Sequence, residues 1–338
     1  MNGGARQRYL ALVRGEARGA WPALQRLALR AAALPYGAAV RLRNLAYDRG
    51  WRRAERAAVP VVSVGNLTVG GTGKTPCVEY VARLYRERGL RVAVLSRGYG
   101  SDAGPNDEAL VLEENLPDVP HLQGADRAAL ARDLDLVLLD ASEPWGHGHL
   151  LPRGLLREPP SALRRAGAVL LTRCDQVSAE QCERLRQRVA RLAPDVLVAE
   201  TTHQPVGLVN SDGDEAPLDL LREAPVAAFC GIGNPEAFRR TLADLGADVC
   251  PFRTYPDHHA YTRADVEELR AWVRPLPGSI VVTTQKDLVK LHLPRLGDRP
   301  LWALRVRLHV EAGQDALDDQ LLSALPAPGP EPGGPAEG

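Results

Sequence analysis

Residues 59–75 read VPVVSVGNLTVGGTGKT, and this stretch decides the fold. Its first six residues are rich in β-branched side chains, which predicts a short buried strand. The glycines that follow let backbone N–H groups curl around an anion without a Cβ in the way. Lys74 and Thr75 close the stretch at the start of a predicted helix, whose N-terminus adds a positive dipole end. Strand, glycine-rich turn and helix in this order predict a phosphate-binding loop.

Each position of this loop has an expected role. Lys74 should reach the β- and γ-phosphates of a nucleotide, and Thr75 should offer its hydroxyl to Mg²⁺. The first position of the usual motif is Gly or Ala, whereas here it is Thr68, and the extra glycines at 70 and 71 partly offset that change. The residues expected to bind the nucleotide are Thr68, Val69, Gly70, Gly71, Thr72, Gly73, Lys74 and Thr75.

The chain downstream of the loop alternates between apolar strands and helical patterns. Further buried strands are predicted at 91–95, 136–140, 168–172, 226–230 and 279–283. Helices are predicted around 161–166, 178–192, 235–245 and 262–273. Strands that alternate with helices form a mostly parallel sheet with helices on both faces. The sequence therefore predicts an α/β fold of the P-loop NTPase kind, with a smaller C-terminal α/β lobe.

Four segments are predicted along the chain. They are a basic helical segment at 1–58, a P-loop nucleotide-binding domain at 59–200, a smaller α/β domain at 201–324 and a tail at 325–338. The domain boundary is placed at 201–224, because that stretch is rich in turn-forming residues. The tail is rich in proline and glycine, which predicts disorder.

The N-terminal segment carries a strong positive charge. Residues 1–58 contain twelve arginines against three acidic residues, a net charge of +9 in a chain whose formal net charge is zero. One or two helices are predicted across 6–47, broken near Pro22 and Pro35. Arginine stems that snorkel, with aromatic residues nearby, favour a helix in the membrane interface. An amphipathic helix packed on the body of the protein explains the pattern equally well.

Composition argues against several other classes of protein. A net charge of zero predicts no nucleic-acid partner, and the absence of an apolar run near 18 residues predicts no transmembrane helix. Five cysteines without a C-x-x-C pair predict neither a disulfide framework nor a zinc site, and they favour the reducing cytosol. Lysine occurs only at positions 74, 286 and 290. Either the chemistry requires lysine at these three positions, or lysine is rare only because a GC-rich genome favours arginine.

Several segments, in order along the chain, resemble one enzyme family. They are 64–76 (VGNLTVGGTGKTP), 96–100 (SRGYG), 106–108 (NDE), 151–158 (LPRGLLRE), 229–235 (FCGIGNP), 257–261 (DHHAY) and 281–290 (VVTTQKDLVK). Together they resemble the tetraacyldisaccharide 4′-kinases, the lipid A 4′-kinases of Gram-negative bacteria. The resemblance extends over about residues 10–310, and the long phosphate loop followed by S-R-G-Y-G is its most specific part.

The resemblance implies a reaction, its cofactors and a location. ATP would phosphorylate the 4′-hydroxyl of a lipid A precursor, tetraacyldisaccharide 1-phosphate, with Mg²⁺ as the metal, and the product would be lipid IVA. The protein would be peripheral on the cytoplasmic face of the inner membrane, with its N-terminal helix dipping into that leaflet. An anionic lipid surface would also give the basic N-terminal segment a partner.

The resemblance also implies catalytic roles. Asp107 matches the base that receives the proton of the sugar hydroxyl, and Asp257 with His258 matches a pair that holds and tunes this base. The chemistry is reasonable in itself, because an alcohol is a poor nucleophile until a positioned carboxylate accepts its proton. Lys74 completes the catalytic set as a cation for the phosphoryl transition state.

The chain departs from the family in one large respect. The family carries an Asp-Asp-Gly-Phe-Gln-His segment at a strand end, and this chain has no counterpart, so that one helix–strand unit is missing near 124–140. In the family those carboxylates support the metal. Asp140, which ends an apolar strand, and Glu158 are the candidates to replace them beside Thr75.

Two alternatives follow from these observations. The missing segment is compatible with a degenerate paralogue that binds nucleotide and lipid with little catalysis. Residues 172–175 (TRCD) follow a predicted strand and faintly echo the guanine-reading N-K-x-D motif, which is compatible with a GTPase-like switch.

Overall fold

The computed structural model describes residues 3–52, 54–96, 106–124 and 131–325. These residues form ten α-helices, which are α1 (Gly3–Arg14), α2 (Ala20–Asp48), α3 (Lys74–Glu87), α4 (Asp107–Asn115), α5 (Ala179–Leu192), α6 (Leu220–Glu223), α7 (Pro235–Asp244), α8 (Arg263–Val273), α9 (Gln285–Leu291) and α10 (Gln314–Ser323). The same residues form twelve β-strands, which are β1 (Val62–Asn66), β2 (Val94–Ser96), β3 (His121–Gln123), β4 (Leu134–Asp140), β5 (Ala168–Thr172), β6 (Leu197–Val209), β7 (Glu215–Ala216), β8 (Val226–Cys230), β9 (Val249–Thr254), β10 (Ile280–Thr284), β11 (Arg295–Leu296) and β12 (Arg299–Ala312). Residues 97–100 of the family resemblance and the tail from residue 326 onward lie outside the described residues.

Within these ranges, ten strands form one main sheet, and β2 pairs with β3 in a separate small sheet. The main sheet has the order β1-β4-β5-β6-β12-β10-β8-β9, with β7 beside β6 and β11 beside β12. The halves β1-β4-β5-β6 and β12-β10-β8-β9 are each parallel, and the antiparallel pair β6–β12 joins them. This topology confirms the predicted α/β fold with a mostly parallel sheet.

Several parallel strands and connecting helices form where the sequence predicts them. β5 and β8 have the predicted bounds, and every residue of both strands is buried. α5 begins after Ser178, whose side chain forms a capping box with Gln181. Buried apolar runs and helix caps are local signals, which is why sequence reasoning finds these elements.

The stretch predicted to be a turn-rich boundary begins inside a strand. β6 runs through residue 209 and pairs with β12 from Val209–Ala303 to Glu200–Ala312, so the turn prediction is wrong for residues 201–209. Pro205 is tolerated because the ladder is irregular beside it, and prolines in strands are found at such positions. Long-range pairing has overridden local turn propensity here. The division into two domains near residue 200 stays a prediction.

β1, the strand that leads into the phosphate loop, lies at one end of the main sheet. It pairs with β4, and its other side meets no further strand in the described parts of the chain. Its residues are only half-buried, in contrast with those of β5. The predicted loss of a helix–strand unit would fall between β3 and β4 along the chain, and β3 lies in the small sheet with β2. A cleft lined by residues of both sheets adjoins β1.

Two helices form at the N-terminus, but the break between them differs from the prediction. α1 and α2 are separated at 15–19, where Gly15 and Gly19 adopt positive φ values of 81° and 113°. α2 continues through Pro35, so the predicted break there is wrong. Good helix formers on both sides carry the helix through the lost hydrogen bond. Pro22 lies in the first turn, where an N–H is not needed.

Candidate active site

The phosphate loop connects β1 to α3 in the predicted order. α3 begins at Lys74, directly after Gly73, whose φ of 88° is left-handed, and Gly70 also has a positive φ of 134°. A side chain would strain both positions. Lys74 Nζ lies 3.5 Å from Asn66 Oδ1 at the end of β1, which draws the lysine back over the loop. The structure therefore forms the strand–loop–helix unit that binds nucleotide phosphates.

Neighbouring segments fasten the loop on two sides. Val69 donates its backbone N–H to the Leu155 carbonyl at 2.8 Å. Thr172, at the end of β5, donates its hydroxyl to the Thr72 carbonyl at 3.1 Å. Thr68, which replaces the usual small residue, is buried. The loop is thus held in part by contacts from segments other than its own strand and helix.

His203 of β6 occupies the space beside Gly73 that a side chain would need. A Cβ added to Gly73 would lie only 2.3 Å from His203 Nε2. Burial, and then the charge of Arg173, lower the pKa of His203 to about 3, so the ring is neutral. Sequence reasoning missed His203 as a site residue because it assigned this stretch to a turn. The β-branched residues Thr201, Thr202 and Val206 were the signal for a strand that could have found it.

Arg173 joins the phosphate loop to the carboxylate at the end of β4. Its guanidinium donates to the Gly71 carbonyl at 2.7 Å and also pairs with Asp140 Oδ2. The other oxygen, Oδ1, accepts from the Ser142 backbone N–H at 3.0 Å and from the Ser142 hydroxyl at 2.6 Å. Asp140 therefore lies beside the loop, where the sequence predicts an acid, and a cation is already paired with it.

Asp107 and His258 meet although 151 residues separate them in the chain. Asp107 is the first residue of α4, follows the N-cap Asn106 and is 8% exposed. His258 Nδ1 lies 2.9 Å from Asp107 Oδ2 and 3.1 Å from Oδ1. The carboxylate of Asp257 is 3.9 Å from the other ring nitrogen, Nε2. The structure thus brings together the three residues to which the resemblance assigns the base and its support.

The charges around Asp107 decide its ionisation. Burial by itself would raise the pKa of Asp107, but the hydrogen bond with His258 and the charges of Lys286, His258 and Lys290 lower that pKa to about 2. The same hydrogen bond raises the pKa of His258 against the opposite effect of burial, and the charges of Asp107 and Asp257 add to the rise. Asp107 is therefore a carboxylate at neutral pH, and it is held by an imidazole whose pKa lies above its ordinary value.

Two lysines of α9 belong to the site, and sequence reasoning did not assign them to it. Lys286 Nζ lies 3.0 Å from Glu108 Oε1, and Lys290 Nζ lies 3.6 Å from Asp107 Oδ2. The signal for both was the scarcity of lysine, because all three lysines of this chain line the same cleft. An ammonium group offers a compact, mobile point charge that a guanidinium does not.

Asp287 ties α9 to the loop that carries the histidine. Its buried carboxylate accepts from the Gly231 backbone N–H at 3.0 Å, the Tyr261 hydroxyl at 3.0 Å and the Thr284 hydroxyl at 2.6 Å. The carbonyl of Gly231 in turn accepts from the His258 backbone N–H at 3.1 Å. A connected set of buried hydrogen bonds therefore fixes His258 relative to α9.

One cleft of about 2920 Å³ contains both halves of the site. The phosphate loop and Arg173 line it, and so do Asp107, His258 and Lys290. The cleft also extends along the open side of β1 to the small sheet. A nucleotide on the loop and a second substrate beside Asp107 would therefore share one space.

Glu158 has a different environment from the one predicted. One carboxylate oxygen pairs with Arg43 of α2 at 2.6 Å, and the other accepts from Asn44 at 3.1 Å and Arg165 at 2.5 Å. Both oxygens thus attach α2 to the body of the protein, as does the Tyr36 hydroxyl, which donates to a backbone carbonyl at 2.9 Å. Glu158 also lines the cleft of the phosphate loop, and its role as a metal ligand stays a prediction.

A phosphate loop that shares a cleft with a buried carboxylate, itself paired with a histidine, defines a P-loop phosphotransferase. The sequence model of the family described as tetraacyldisaccharide-1-P 4′-kinase matches residues 25–117 and 123–326. The chain belongs to this family, which confirms the resemblance seen in its sequence motifs.

Individual relatives agree with this assignment. A tetraacyldisaccharide 4′-kinase from Anaeromyxobacter sp. (strain K) is 42% identical over 348 residues, with 89% of this chain and 92% of the relative covered. One from Syntrophus aciditrophicus (strain SB) is 38% identical, with 78% and 84% covered. A crystal structure of LpxK from Aquifex aeolicus in complex with ATP is 29% identical and superposes with a TM-score of 0.71 over 89% of this chain and 100% of that one.

Proposed function

We propose that this protein transfers the γ-phosphate of ATP to the 4′-hydroxyl of tetraacyldisaccharide 1-phosphate, giving lipid IVA in lipid A biosynthesis. Its family and the names of its relatives support this reaction. The observation that carries the proposal is the Asp107–His258 pair, which faces the same cleft as the phosphate loop of Lys74. A kinase that acts on an alcohol needs both parts in one space.

Asp107 is the residue that prepares the acceptor hydroxyl. Because its pKa is lowered to about 2, it is ionised and accepts a hydrogen bond from the hydroxyl. A carboxylate of such low basicity takes the proton late, after the forming oxygen–phosphorus bond has made the hydroxyl more acidic. His258 holds the carboxylate in place, and Lys290 balances its charge.

The phosphate loop and its neighbours prepare the donor. Backbone N–H groups between residues 70 and 75 surround the phosphates, and Lys74 stabilises charge on the group that is transferred. Arg173 keeps the loop in shape through Gly71. The hydroxyl of Thr75 and the carboxylate of Asp140 form an all-oxygen donor set that suits Mg²⁺, and these two residues would hold it. When bound, Mg²⁺ neutralises charge on the β- and γ-phosphates.

The N-terminal helices provide a surface for the membrane. No helix of the described residues is long and apolar enough to cross a bilayer. α2 instead exposes leucines at 24, 27, 34, 42 and 45, whose spacings of three, seven, eight and three residues lie on one helix face. The opposite face buries Gly37 and Val40 against the body. An exposed apolar stripe within a segment of charge +9 fits an anionic leaflet, which is the proposed location on the inner face of the inner membrane.

Vesicle binding tests the membrane proposal. Replacing Leu27 and Leu34 by Asp should lower cosedimentation with vesicles that contain anionic phospholipid, on the order of tenfold, because two buried apolar contacts become charges. Val206→Asp is the matched control, since Val206 is 41% exposed and lies on β6. Equal binding of the Leu27/Leu34 variant and the wild type would contradict the proposal.

A transfer assay tests the proposed reaction. Purified protein with labelled ATP and the disaccharide 1-phosphate in detergent should form labelled lipid, and Asp107→Asn should not. ATP binding without transfer by the wild type would favour the degenerate-paralogue alternative. Two observations favour this second candidate. Within the described residues β1 has a strand on one side only, and both carboxylate oxygens of Asp140 already have partners.

The GTPase-like alternative has a separate test. Arg173 is the basic residue in the segment that resembles the N-K-x-D motif. It contacts the phosphate loop and Asp140, and these contacts explain a basic residue at this position without guanine recognition. Nucleotide competition should therefore show preference for ATP over GTP. Preference for GTP would overturn the kinase assignment.

A further inference from the structure

Two cysteines and a glutamate come together beside the carboxyl end of β5. Cys174 follows β5, Cys182 lies in the first half of α5, and Glu200 lies on β6. The ligand atoms of these three residues all lie within 4.8 Å of one another. In a tetrahedral zinc site, sulfur and oxygen ligands are about 3.5 to 4 Å apart. Small side-chain movements would therefore close the three around one ion.

We propose that Cys174, Cys182 and Glu200 bind a thiophilic divalent cation of the Zn²⁺ class. This site is separate from the nucleotide site and does not rest on the proposed kinase reaction. Thiol sulfur selects soft metals and is a poor ligand for Mg²⁺, which prefers oxygen. Three protein ligands leave one position of the tetrahedron for water or another donor.

The surroundings of Glu200 favour this occupant. Its Oε1 is buried and forms an ion pair with Arg186. Arg186 Nε lies 3.1 Å from this oxygen. Two thiolates and one carboxylate around a divalent cation carry a net charge of −1, which the guanidinium of Arg186 would balance.

The two thiols are placed for ligation rather than for reaction with solvent. Cys182 is 4% exposed, and Cys174 Sγ lies 3.3 Å from the Leu171 carbonyl. Burial raises the pKa of Cys174, so the thiol stays protonated until a cation displaces the proton. Binding of one ion would release both thiol protons to solvent.

An ion at this site would affect the segment that carries Arg173. Cys174 directly follows Arg173, the residue that contacts Gly71 and Asp140. A metal ion bound at Cys174 would connect this turn both to α5, through Cys182, and to β6, through Glu200. The ion would thus stabilise the segment from which Arg173 reaches the phosphate loop, without touching either substrate.

Cadmium and zinc titrations of the reduced full-length protein test the proposal. Cd²⁺ should produce a thiolate charge-transfer absorption that saturates at one equivalent, and Zn²⁺ should displace it. Cys174→Ser and Cys182→Ser should each weaken binding on the order of 100-fold, and Glu200→Gln on the order of tenfold. Cys250→Ser is the matched control, because Cys250 is an exposed cysteine elsewhere, and it should bind as the wild type does.

Thermal unfolding gives a second measurement that needs no variant. A cation that binds only the folded state raises the melting temperature, and the stabilisation grows with the logarithm of one plus its concentration over its Kd. Zn²⁺ should therefore stabilise the wild type in the presence of saturating Mg²⁺. Absence of both the charge-transfer band and the stabilisation would overturn the proposal, as would Cys174→Ser and Cys182→Ser variants that bind like the wild type.

Discussion

The two halves of the active site rest on strands that are buried to different degrees. β1 carries the phosphate loop, is half-buried and has a strand on one side only within the described residues. β8 leads to Gly231, which supports His258, and it is fully buried between β10 and β9. The acceptor half is therefore built on the interior of the main sheet, and the donor half on its edge.

This difference shows how the donor half keeps its shape although β1 has a strand on one side only within the described residues. The loop is held by contacts from elsewhere, which are the Val69–Leu155 hydrogen bond, the Thr72–Thr172 hydrogen bond, the Arg173 bridge to Gly71 and the packing of His203 against Gly73. A point mutation can remove one side-chain contact, whereas it does not remove the backbone pairing of the strands in a sheet. The donor half should therefore lose nucleotide affinity through mutations that leave the acceptor half intact, and the reverse should also hold.

The largest expected effect lies in the acceptor half. Asp107→Asn removes the group that takes the proton, so kcat should fall on the order of 10²- to 10⁴-fold. The KM for ATP should stay near its wild-type value, because Asp107 pairs with His258 and Lys290, which lie outside the loop. Steady-state kinetics with the lipid acceptor measure both quantities. Glu113→Gln on the same helix is the control, since Glu113 is exposed. A fall in ATP affinity with unchanged kcat would show that Asp107 acts on nucleotide binding, which contradicts the separation of the two halves.

The next effect lies in the donor half. Gly73→Ala adds a methyl group in a left-handed conformation, at a strain of about 1 to 2 kcal/mol, and places it 2.3 Å from His203. ATP should bind on the order of 10- to 100-fold more weakly. Gly71→Ala is the matched control, because nothing lies within 4 Å of its added Cβ, and its loss should be much smaller.

A double variant sharpens this prediction. Adding His203→Ala to Gly73→Ala removes the clash and leaves the backbone strain, so ATP affinity should recover in part. Isothermal titration with ATP measures each step. If ATP affinity does not recover, the His203 ring is not the reason that position 73 requires glycine.

A smaller effect is expected from the arginine bridge. Arg173→Met removes the hydrogen bond to Gly71 and leaves Asp140 without its cation, so the KM for ATP should rise about tenfold. The KM for the lipid should stay the same. Arg184→Met on α5 is the control, since that side chain is exposed. Equal changes in both KM values would show that the two halves are not separable.

The smallest effect concerns stability at low pH. The pKa of Asp107 is lowered from 3.8 to about 2, so its contribution to the free energy of unfolding is complete above about pH 4 and is lost as the pH falls through about 2. Lys290→Met should raise this pKa and move the loss to higher pH. Chemical denaturation at several pH values measures the shift, and Asp107→Asn should abolish this part of the pH dependence. An identical pH profile for Lys290→Met would contradict the role of Lys290 beside Asp107.

Sequence reasoning found the local parts of the protein and missed several that depend on distant partners. The loop at 70–75 and the strands β5 and β8 follow from runs of neighbouring residues, and the structure has them where they were predicted. The continuation of β6 through residues 201–209 was missed, because its pairing partner β12 lies about a hundred residues later. The contacts of Glu158 with Arg43 and Asn44 were also missed, because those two residues lie on a helix more than a hundred residues earlier.

The sequence by itself determined the class of fold and the phosphate loop, since alternation, glycine spacing and helix start signals act over a few residues. Only the tertiary structure decided which charges surround Asp107, that three scarce lysines share one cleft, and that Cys174, Cys182 and Glu200 meet. The physical reason is that electrostatic energy and metal ligation depend on distances in space. Those distances are set when strands far apart in the chain pair and bring their ends to one edge of the sheet.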